Sequence, residues 1–456
     1  MDIKKNDELV IDIIDIGNQG QGIGKYDGYT LFVNNTTIGD KIRVKVTKAK
    51  KNYGYGRLIE IIEPSPDRVE PVCEIADKCG GCSIMHLKYE KQLEFKQKKV
   101  IGCLERIGKF DLSNVEVNPI IGMDNPYYYR NKVQLPIARY RNGKIAMGFY
   151  ARRTHSIINM DKCYIQSEIN DDIFQIIRTF VDKYNISLYD EKEHKGLLRH
   201  IVTRVGFVTG QVMVCLVING KKLPHQDKLI EKLIKIPGMT SISLNFNLDN
   251  TNVIMGQEVE TIWGKEYIID YIGDVKYQIS PNSFYQVNPI QTKILYETAL
   301  DYADLSGKET VWDLYCGIGT ISLFMAKEAK QVYGVEIVED AVLDARRNAK
   351  INNISNAEFF VGAAEEVLPR KYEEDSVYAD VIVVDPPRKG CEESLLRAIV
   401  EMSPKRLVYV SCDPATLARD LKYLGQNGYK LERVQPVDQF PHTVHVESII
   451  LMTSCT

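Results

Sequence analysis

The amino-terminal part of the chain alternates apolar and polar positions in short runs. Glycines separate these runs within residues 7–62, namely Gly17, Gly20, Gly22, Gly24, Gly28 and Gly39. Alternation with a period of two predicts strands that bury one face, and the glycines predict tight turns. Short twisted strands of this kind close into a barrel that has no free edges and offers a curved face to oligonucleotides. We therefore predict a five-stranded, OB-like β-barrel over residues 1–62.

A mostly β pattern occupies the middle of the chain, after Pro64 and Pro66. Strands are predicted over residues 132–140, 144–150, 197–207 and 211–219, and the turn Val208-Thr209-Gly210 joins the last two as a hairpin. Helical spacing is found over residues 87–106 and 169–184. We predict a central β-rich domain over residues 63–282, in which the helical segment 87–122 packs on the domain that follows.

From Ser283 onward the pattern changes to strand, glycine turn, helix and strand, which is typical of a parallel α/β sheet. Strands are predicted over residues 310–314, 331–335, 358–361, 381–384 and 406–411. We predict a Rossmann-like α/β domain over residues 283–456. The fold class is therefore multidomain α+β.

Composition and charge limit the classes of partner. The chain has 456 residues, of which 44% are hydrophobic and 26% charged, and no apolar stretch approaches the roughly 20 residues that span a bilayer. Its first residues also lack the apolar core of a signal peptide, so we expect a cytoplasmic protein without a membrane partner. The net charge of −3 does not itself indicate nucleic acid.

Two local stretches nevertheless favour an RNA partner. Lys41 to Arg57 contains seven Lys or Arg residues and no acid, with Tyr53 and Tyr55 between them. Tyr127 to Arg153 also contains seven Lys or Arg residues and no acid. A solvated, charged hairpin is the alternative interpretation of the first stretch, but the two stretches together make RNA the better prediction.

Three cysteines lie close together in a Cys-x5-Cys-x2-Cys arrangement, formed by Cys73, Cys79 and Cys82 around Gly80-Gly81. In a reducing compartment such a group indicates a metal or cluster rather than disulfides. Cys163 is the predicted fourth ligand, because it follows the basic β segment that would fold back on this loop. Zinc is the less natural occupant, since paired Cys-x2-Cys motifs are absent, and buried unligated thiols are the alternative.

A cofactor turn is predicted where the strand ending at Leu314 runs into Gly317-Ile318-Gly319 and a helix. Glycines there let a nucleoside approach the backbone closely. The third glycine of the pyrophosphate fingerprint is absent, which suits a nucleoside without phosphates such as S-adenosylmethionine. Glu336 ends the next predicted strand, where an acid binds ribose hydroxyls, although a solvated glutamate is the alternative.

Cys412 follows the predicted strand 406–411 and therefore lies at the carboxyl edge of the sheet, where open α/β folds place their chemistry. Glu447 lies downstream in the run Pro441-His442-Thr443-Val444-His445-Val446-Glu447. The pair predicts a nucleophilic thiol and a carboxylate base. A buried strand-end thiol is the alternative for Cys412.

Several motifs occur in the order seen in RNA uracil-5 methyltransferases, and the chain closely resembles the bacterial 23S rRNA members of that family. These motifs are Gln286-Val287-Asn288, Asp313 to Thr320, Asp385-Pro386-Pro387-Arg388-Lys389-Gly390, Ser411-Cys412-Asp413-Pro414 and His445-Val446-Glu447. The resemblance implies a TRAM domain as the barrel, an iron-sulfur cluster in the central domain and a methyltransferase domain at the carboxyl terminus. It implies a 4Fe-4S cluster on Cys73, Cys79, Cys82 and Cys163.

The same resemblance assigns roles to the residues of the last domain. Gln286, Tyr315, Glu336 and Asp385 would bind S-adenosylmethionine, Cys412 would be the nucleophile and Glu447 the general base. The expected activity is methylation of uracil carbon 5 in a 23S rRNA loop through a covalent cysteine adduct, with no DNA substrate. Two alternatives remain: a tRNA uridine-5 methyltransferase, whose shorter members generally lack the barrel and the cluster, and a catalytically silent iron-sulfur protein that binds RNA.

Overall fold

The computed structural model describes residues 3–152, 154–375 and 377–455, so Arg153 of the second basic stretch lies outside the described residues. Within these ranges, no helix combines the length and the apolar character that crossing a membrane requires.

The amino-terminal segment forms a closed barrel of five strands in the order β1-β2-β3-β5-β4. The strands are β1 (Glu8–Ile16), β2 (Gly22–Tyr26), β3 (Tyr29–Val33), β4 (Lys41–Ala49) and β5 (Tyr53–Glu63). Alternate residues of these strands, including Ile11, Leu31 and Val44, fill the interior. The predicted barrel is confirmed, because the period-two pattern of the sequence matches the inward and outward sides of the strands.

The central part is a six-stranded sheet with helices on one face. It follows helix α1 (Tyr89–Cys103), the π-helical turn Leu104–Gly108, the 3-10 turn Leu112–Asn114 and the short strand β6 (Glu116–Val117). Its elements are β7 (Lys132–Arg139), β8 (Ile145–Met147), α2 (Ile169–Lys183), β9 (Leu198–Val205), β10 (Val212–Ile218), α3 (Gln226–Leu233), β11 (Met239–Phe246) and β12 (Glu258–Gly264). The strand order is β12-β11-β10-β9-β7-β8.

The helices and strands that the sequence predicted for the central part are present, but strand β8 is shorter than predicted. Helix α2 buries Ile173, Ile177 and Val181, which recur every four residues on its inner face. Strand β8 ends at Met147 rather than near residue 150, because its pairing with β7 ends there and the following backbone bonds to a later segment instead: the Ile158 amide donates to the Phe149 carbonyl at 2.8 Å, and the Ala151 amide to the Ser156 carbonyl at 2.8 Å. The prediction of a strand over residues 144–150 was therefore too long.

The last part is an eight-stranded sheet in the order β17-β16-β15-β18-β19-β21-β20-β6. The hairpin β13 (Ile268–Ile272) and β14 (Val275–Ile279) precedes it, followed by α4 (Pro289–Ala303), β15 (Thr310–Leu314), α5 (Thr320–Met325), β16 (Gln331–Glu336), α6 (Glu339–Ile351) and β17 (Ala357–Val361). The remaining elements are α7 (Ala364–Asp375), β18 (Val381–Val384), α8 (Glu393–Met402), β19 (Arg406–Ser411), α9 (Pro414–Gln426), β20 (Tyr429–Val437) and β21 (Glu447–Ser454).

All the predicted strands of this domain are present as the parallel strands β15 to β19. Sequence analysis missed β20 and β21, which are antiparallel to each other, with β21 also antiparallel to β19. Strand β6 joins the same sheet beside β20, and Val100 and Leu104 of the preceding helical segment pack in its core. The hairpin β13–β14 packs with α4 and α5 in a second core cluster, separate from that of Val100 and Leu104. The boundary predicted between residues 282 and 283 falls between this hairpin and α4 and stays a prediction.

Helix α1 holds the loop between β20 and β21, residues 438–446, which we call the site loop. Lys96 is fully buried in an ion pair with the equally buried Asp438, and its Nζ also donates a hydrogen bond to the Phe440 carbonyl at 3.0 Å. The Tyr89 hydroxyl donates to the second Asp438 oxygen at 2.9 Å. These contacts fix the site loop just before β21 begins at Glu447.

The barrel docks on the same region. Ile16 of β1 packs with Phe95 of α1 and Val444 of the site loop in one buried apolar cluster. A salt bridge at 2.5 Å joins Arg68 to the buried Asp40, which also accepts hydrogen bonds from the backbone amides of Thr37 and Ser65. The barrel, the cysteine segment and the last domain therefore meet around one loop.

Candidate active site

A large cavity of approximately 1750 Å³ opens between the central sheet and the carboxyl ends of the parallel strands. Strand order reverses between β15 and β18, which is where open α/β sheets bind ligands. All the residues predicted for cofactor binding and catalysis line this active-site cavity, namely Gln286, Tyr315, Glu336, Asp385, Cys412 and Glu447.

The glycine turn after β15 forms one wall. Tyr315 has a φ of 79° and Gly317 a φ of 54°, both in the left-handed region, which is unusual for tyrosine and marks a strained turn. The Glu336 carboxylate accepts hydrogen bonds from the amides of Gly317 at 3.1 Å and Val338 at 3.0 Å. A Cβ built on Gly317 would meet no atom within 4 Å, so a ligand can approach this backbone closely.

Three acidic groups lie together at the carboxyl edge. Asp385 directly follows β18, Glu447 begins β21, and Asp313 is buried within β15, where it accepts a hydrogen bond from the Ser322 hydroxyl at 2.5 Å. Burial, reinforced by the charge of Asp385 and opposed by Arg388, raises the pKa of Glu447 to about 8. Burial and the nearby Asp313 raise the pKa of Asp385 to about 7.

Cys412 lies between β19 and α9. Asp413 caps the helix by accepting hydrogen bonds from the amides of Ala415 at 2.9 Å and Thr416 at 3.2 Å, and Pro414 fits the first helical turn. Burial, followed by the charges of Glu447 and Asp385, raises the pKa of Cys412 to about 12, while Arg388 lowers it. In the ligand-free site the thiol is therefore protonated at neutral pH.

The cavity also contains residues to which sequence analysis assigned no role. Phe284 lines it with 69% of its surface exposed, which is unusual for a phenylalanine. Arg388, His445 and Phe440 line it beside the acidic groups. The signal for Phe284 was its place two residues before the motif that begins at Gln286, but only the fold brings its side chain to the cavity.

Comparison with known protein families identifies the family of this chain. Residues 88–455 match the sequence model described as tRNA (uracil-5-)-methyltransferase, and residues 4–59 match the TRAM domain. The chain belongs to the tRNA (uracil-5-)-methyltransferase family. It is therefore an RNA methyltransferase, and its amino-terminal barrel is a TRAM domain.

Relatives of this methyltransferase share almost its whole length. A protein of Clostridium tetani described as an uncharacterized RNA methyltransferase is 53% identical over 452 residues, which cover 99% of this chain and 97% of the relative. A protein of Halalkalibacterium halodurans with the same description is 52% identical over 451 residues, covering 99% and 98%.

A solved structure is also similar over nearly the full chain. It is the tRNA (uracil-54, C5)-methyltransferase of Pyrococcus abyssi in complex with S-adenosyl-L-homocysteine. The TM-score is 0.77 at 31% identity, and the similarity covers 97% of this chain and 100% of the archaeal chain.

The cysteines predicted as cluster ligands come together in this methyltransferase. Cys73, Cys79, Cys82 and Cys163 line one small pocket whose other walls include Phe149, Met160 and Ile165. Burial, followed by the proximity of the other three thiols, raises the pKa of Cys82 well above its ordinary value. In the described ranges, however, no three His, Cys, Asp or Glu side chains are arranged as ligands of a single metal ion. The iron-sulfur site therefore stays a prediction.

The first basic stretch is partly neutralised on the surface of the TRAM domain. Lys41 pairs with Glu63 at 3.1 Å, Arg43 with Glu60 at 2.8 Å and Lys45 with Glu8 at 3.6 Å. For these residues the ion pairs are compatible with the alternative of a solvated, charged hairpin. The second half of the stretch differs, because Lys50 lies 5.0 Å from the centre of the Tyr53 ring and bonds its hydroxyl.

The raised pKa values predict an unusual dependence of stability on pH. Between about pH 4, where free carboxyls titrate, and about pH 8, the folded protein binds more protons at this site than the unfolded chain does. Stability contributed by the site therefore falls as pH rises through this window. Asp385→Asn removes one acid and relieves Glu447, so we expect a higher urea midpoint than wild type near pH 8, with a gain that shrinks toward about pH 5.

Asp182→Asn is the matched control, since the Asp182 side chain on α2 is 75% exposed and should give no such gain. A wild-type protein more stable than Asp385→Asn near pH 8 would show that the buried acids do not carry the predicted charge penalty.

Proposed function

We propose that this enzyme methylates carbon 5 of uridine in 23S rRNA, using S-adenosylmethionine and a covalent bond between Cys412 and the uracil. The observation that carries the proposal is the cavity shared by Cys412, Glu447 and Asp385 with the glycine turn after β15. The complex of the Pyrococcus abyssi relative with S-adenosyl-L-homocysteine supports the choice of cofactor. We expect the reaction in the cytoplasm, where rRNA is available.

The charge of the cavity suits a cationic cofactor. Carboxylates outnumber cations among its lining residues, so the electrostatic potential favours a positive group. Glu336 is the proposed partner of the ribose hydroxyls, because it ends β16 and is already oriented by two backbone amides. Gln286, Tyr315 and Asp385 complete the proposed pocket.

When bound, S-adenosylmethionine supplies an electrophilic methyl group on a sulfonium whose positive charge opposes that of the surrounding carboxylates. Uracil carbon 5 is too weak a nucleophile to accept this methyl group directly. Cys412 overcomes this after its thiol proton has been lost to solvent: the thiolate adds to carbon 6, which forms the sulfur–carbon bond, breaks the double bond between carbons 5 and 6 and turns carbon 5 into the nucleophilic carbon of an enolate. Arg388 assists because its charge lowers the pKa of Cys412.

After methyl transfer, carbon 5 carries both a methyl group and a proton. Glu447 is proposed to remove that proton, after which the bond between carbon 6 and Cys412 breaks and the double bond of the uracil is restored. A pKa of about 8 makes Glu447 a stronger base than an exposed glutamate, at the cost of a smaller ionised fraction at neutral pH. Asp385 is better suited to positioning the cofactor and the base, because no positive charge develops beside it during the transfer.

The target uridine must leave its stack to reach this cavity. Phe284 offers an exposed aromatic face on the cavity wall, and we propose that the flipped base lies against it. The TRAM domain and the central sheet would then bind the surrounding single-stranded loop through phosphates and unpaired bases.

A tRNA substrate is the second candidate, favoured by the Pyrococcus abyssi relative, which acts on uracil-54 of tRNA. Because the similarity covers 97% of this chain, that relative has a counterpart of the barrel as well. The barrel therefore does not separate rRNA enzymes from tRNA enzymes. The motifs and the cysteine group that resemble bacterial 23S rRNA enzymes support rRNA as our first choice.

We further propose that Cys73, Cys79, Cys82 and Cys163 hold a 4Fe-4S cluster. The fit rests on their lining of one pocket with otherwise largely apolar walls, which suits thiolates that each bind a different iron. A cluster spreads its ligands further apart than a single ion does, which is compatible with the lack of a single-ion arrangement in the described ranges. The group would cross-link the cysteine loop to the segment at Cys163 and brace the surface for RNA, without taking part in the reaction.

Two variants test the chemistry. Cys412→Ala should bind S-adenosylmethionine as wild type does and transfer no methyl group, because carbon 5 is never activated. Glu447→Gln should accumulate a covalent protein–RNA adduct that migrates slowly on a denaturing gel, because the carbon 5 proton is not removed. Normal turnover by Cys412→Ala would exclude the mechanism.

Cys82→Ser tests the cluster. We expect loss of the brown iron-sulfur absorbance and weaker RNA binding, with unchanged affinity for S-adenosylmethionine, because the cluster pocket and the active-site cavity have no lining residue in common. Cys455→Ser, at an exposed cysteine outside the group, is the control and should keep the colour. A folded Cys82→Ser protein that loses cofactor binding would contradict the structural role.

The target is tested by nucleoside mass spectrometry of large-subunit rRNA and of bulk tRNA from a strain that lacks the gene. We expect 5-methyluridine to decrease in the rRNA and to return when the gene is restored. A decrease in tRNA alone would select the second candidate instead.

A further inference from the structure

A second cavity, which we call the junction cleft, lies between the TRAM domain and the cysteine segment. It has a volume of approximately 570 Å³, and its lining combines amides such as Asn34, the hydroxyl of Ser83, the rings of Phe149 and Tyr150 and the guanidinium of Arg152. No carboxylate lines it among the described residues. Amides, aromatic rings and a cation without acids are the groups that bind an unpaired ribonucleotide.

The aromatic wall of the cleft is held in place from behind. Glu191 is not part of the lining, yet it accepts a hydrogen bond from the Tyr150 hydroxyl at 2.6 Å and contacts His155 Nδ1 at 2.9 Å. The two rings are 5.3 Å apart. One carboxylate therefore orients both rings. Because the rings are ordered before a ligand binds, less conformational entropy is lost on binding.

Arg152 gives the cleft its positive charge. Its guanidinium donates hydrogen bonds to the Cys82 carbonyl at 2.8 Å and to Asn35 Oδ1 at 3.4 Å. Among the described residues both hydrogen-bond partners of Arg152 are neutral, while Cys79, Cys82 and Asp77 are the groups whose negative charge would act on it. We expect Arg152 to contact a phosphate from this position beside the cysteine segment.

The cleft and the active-site cavity are separated by the site loop. Ser83, which lines the cleft, accepts a hydrogen bond from the Val444 amide at 3.2 Å, and its own amide donates to the His442 carbonyl at 2.9 Å. On the other side of the same loop, Phe440 and His445 line the active-site cavity. A strand of RNA that enters one cavity thus passes close to the other.

An aromatic surface of the TRAM domain extends the cleft outward. The rings of Phe32, Tyr53 and Tyr55 lie 5.7 to 5.9 Å apart, and a Cβ built on Gly17 would lie 3.5 Å from Phe32. Gly17 begins the turn whose residues Gln19 and Gln21 line the cleft. The aromatic surface of the barrel therefore lies next to the turn that lines the junction cleft.

We propose that the junction cleft is a second nucleotide pocket, which binds one unpaired nucleotide of the substrate RNA close to the uridine in the active-site cavity. Asn34 would read the base edge, the exposed His155 ring would stack on the base with the Tyr150 ring packed beside it at 48°, and Arg152 would contact a phosphate. The inference rests on the proposed function, because it assumes that the same RNA strand occupies both cavities. It adds a site that selects the sequence or shape around the target uridine.

His155→Ala and Asn34→Ala test the pocket with the full-length enzyme and rRNA from the strain that lacks the gene. Both side chains are exposed, so we expect normal folding. Loss of a stacked or hydrogen-bonded base should raise the KM for RNA roughly five-fold or more, with unchanged kcat and unchanged affinity for S-adenosylmethionine. Tyr150→Phe keeps the ring and should retain most of the RNA affinity.

His225→Ala and Asn114→Ala are the matched controls, because these residues lie outside both cavities, and their KM should equal that of wild type. Ultraviolet cross-linking of wild-type protein to the RNA should attach a nucleotide to the peptide that contains Tyr150 or His155. Wild-type KM values in both cleft variants, or cross-links that avoid this peptide, would overturn the proposal.

Failure of the proposed function has a different signature. If wild-type enzyme methylates tRNA and not rRNA, the same variants are measured on tRNA, and a raised KM there still supports the pocket. If it methylates neither, the target assignment fails, and the cross-linked peptide alone decides whether the cleft binds RNA.

Discussion

The buried ion pair between Lys96 and Asp438 is the constraint on which the arrangement of the active site depends. Removing two charges from water costs several kcal/mol per ion, and this is offset only because the pair is close and additional hydrogen bonds come from Tyr89 and the Phe440 carbonyl. Loss of one partner would leave an unpaired buried charge, at a cost of about 3–5 kcal/mol. The pair thus joins helix α1, which precedes the central sheet, to the loop that leads into Glu447. Because a buried ion pair must keep its geometry, the helix and the loop can shift little relative to each other.

The acidic groups of the cavity, in contrast to the paired charges of Lys96 and Asp438, destabilise the ligand-free protein when they ionise. Burial is the main cause that raises the pKa values of Asp313, Asp385 and Glu447, and a neighbouring carboxylate adds to it in each case: Glu336 for Asp313, Asp313 for Asp385 and Asp385 for Glu447. These values record a cost to the ligand-free protein. A cationic ligand would relieve that cost, which couples binding to stability. This trade of stability for a prepared site is common where activity requires grouped charges.

The active-site cavity and the junction cleft differ in the charge of the residues that line them. The overall charge of −3 hides an acidic cavity and a cleft whose described lining residues include no carboxylate. On the barrel, ion pairs with acids of neighbouring strands are formed by Lys41, Arg43 and Lys45. Lys50 instead lies over the ring of Tyr53. Counting basic residues along the chain does not show which of them pair with acids, because pairing across strands is decided by register.

The sequence by itself determined the barrel, the parallel strands β15 to β19 and the candidate pair Cys412 and Glu447, because alternation, apolar runs and motifs are local properties of the chain. It did not reveal β6, which pairs with β20 across more than 300 positions of sequence, or the antiparallel strands β20 and β21, which extend the parallel sheet. Only the tertiary structure brought Phe284 into the active-site cavity and assembled the junction cleft from three separate segments. The raised pKa values belong to the same category, since burial and the approach of distant charges exist only once the chain has folded.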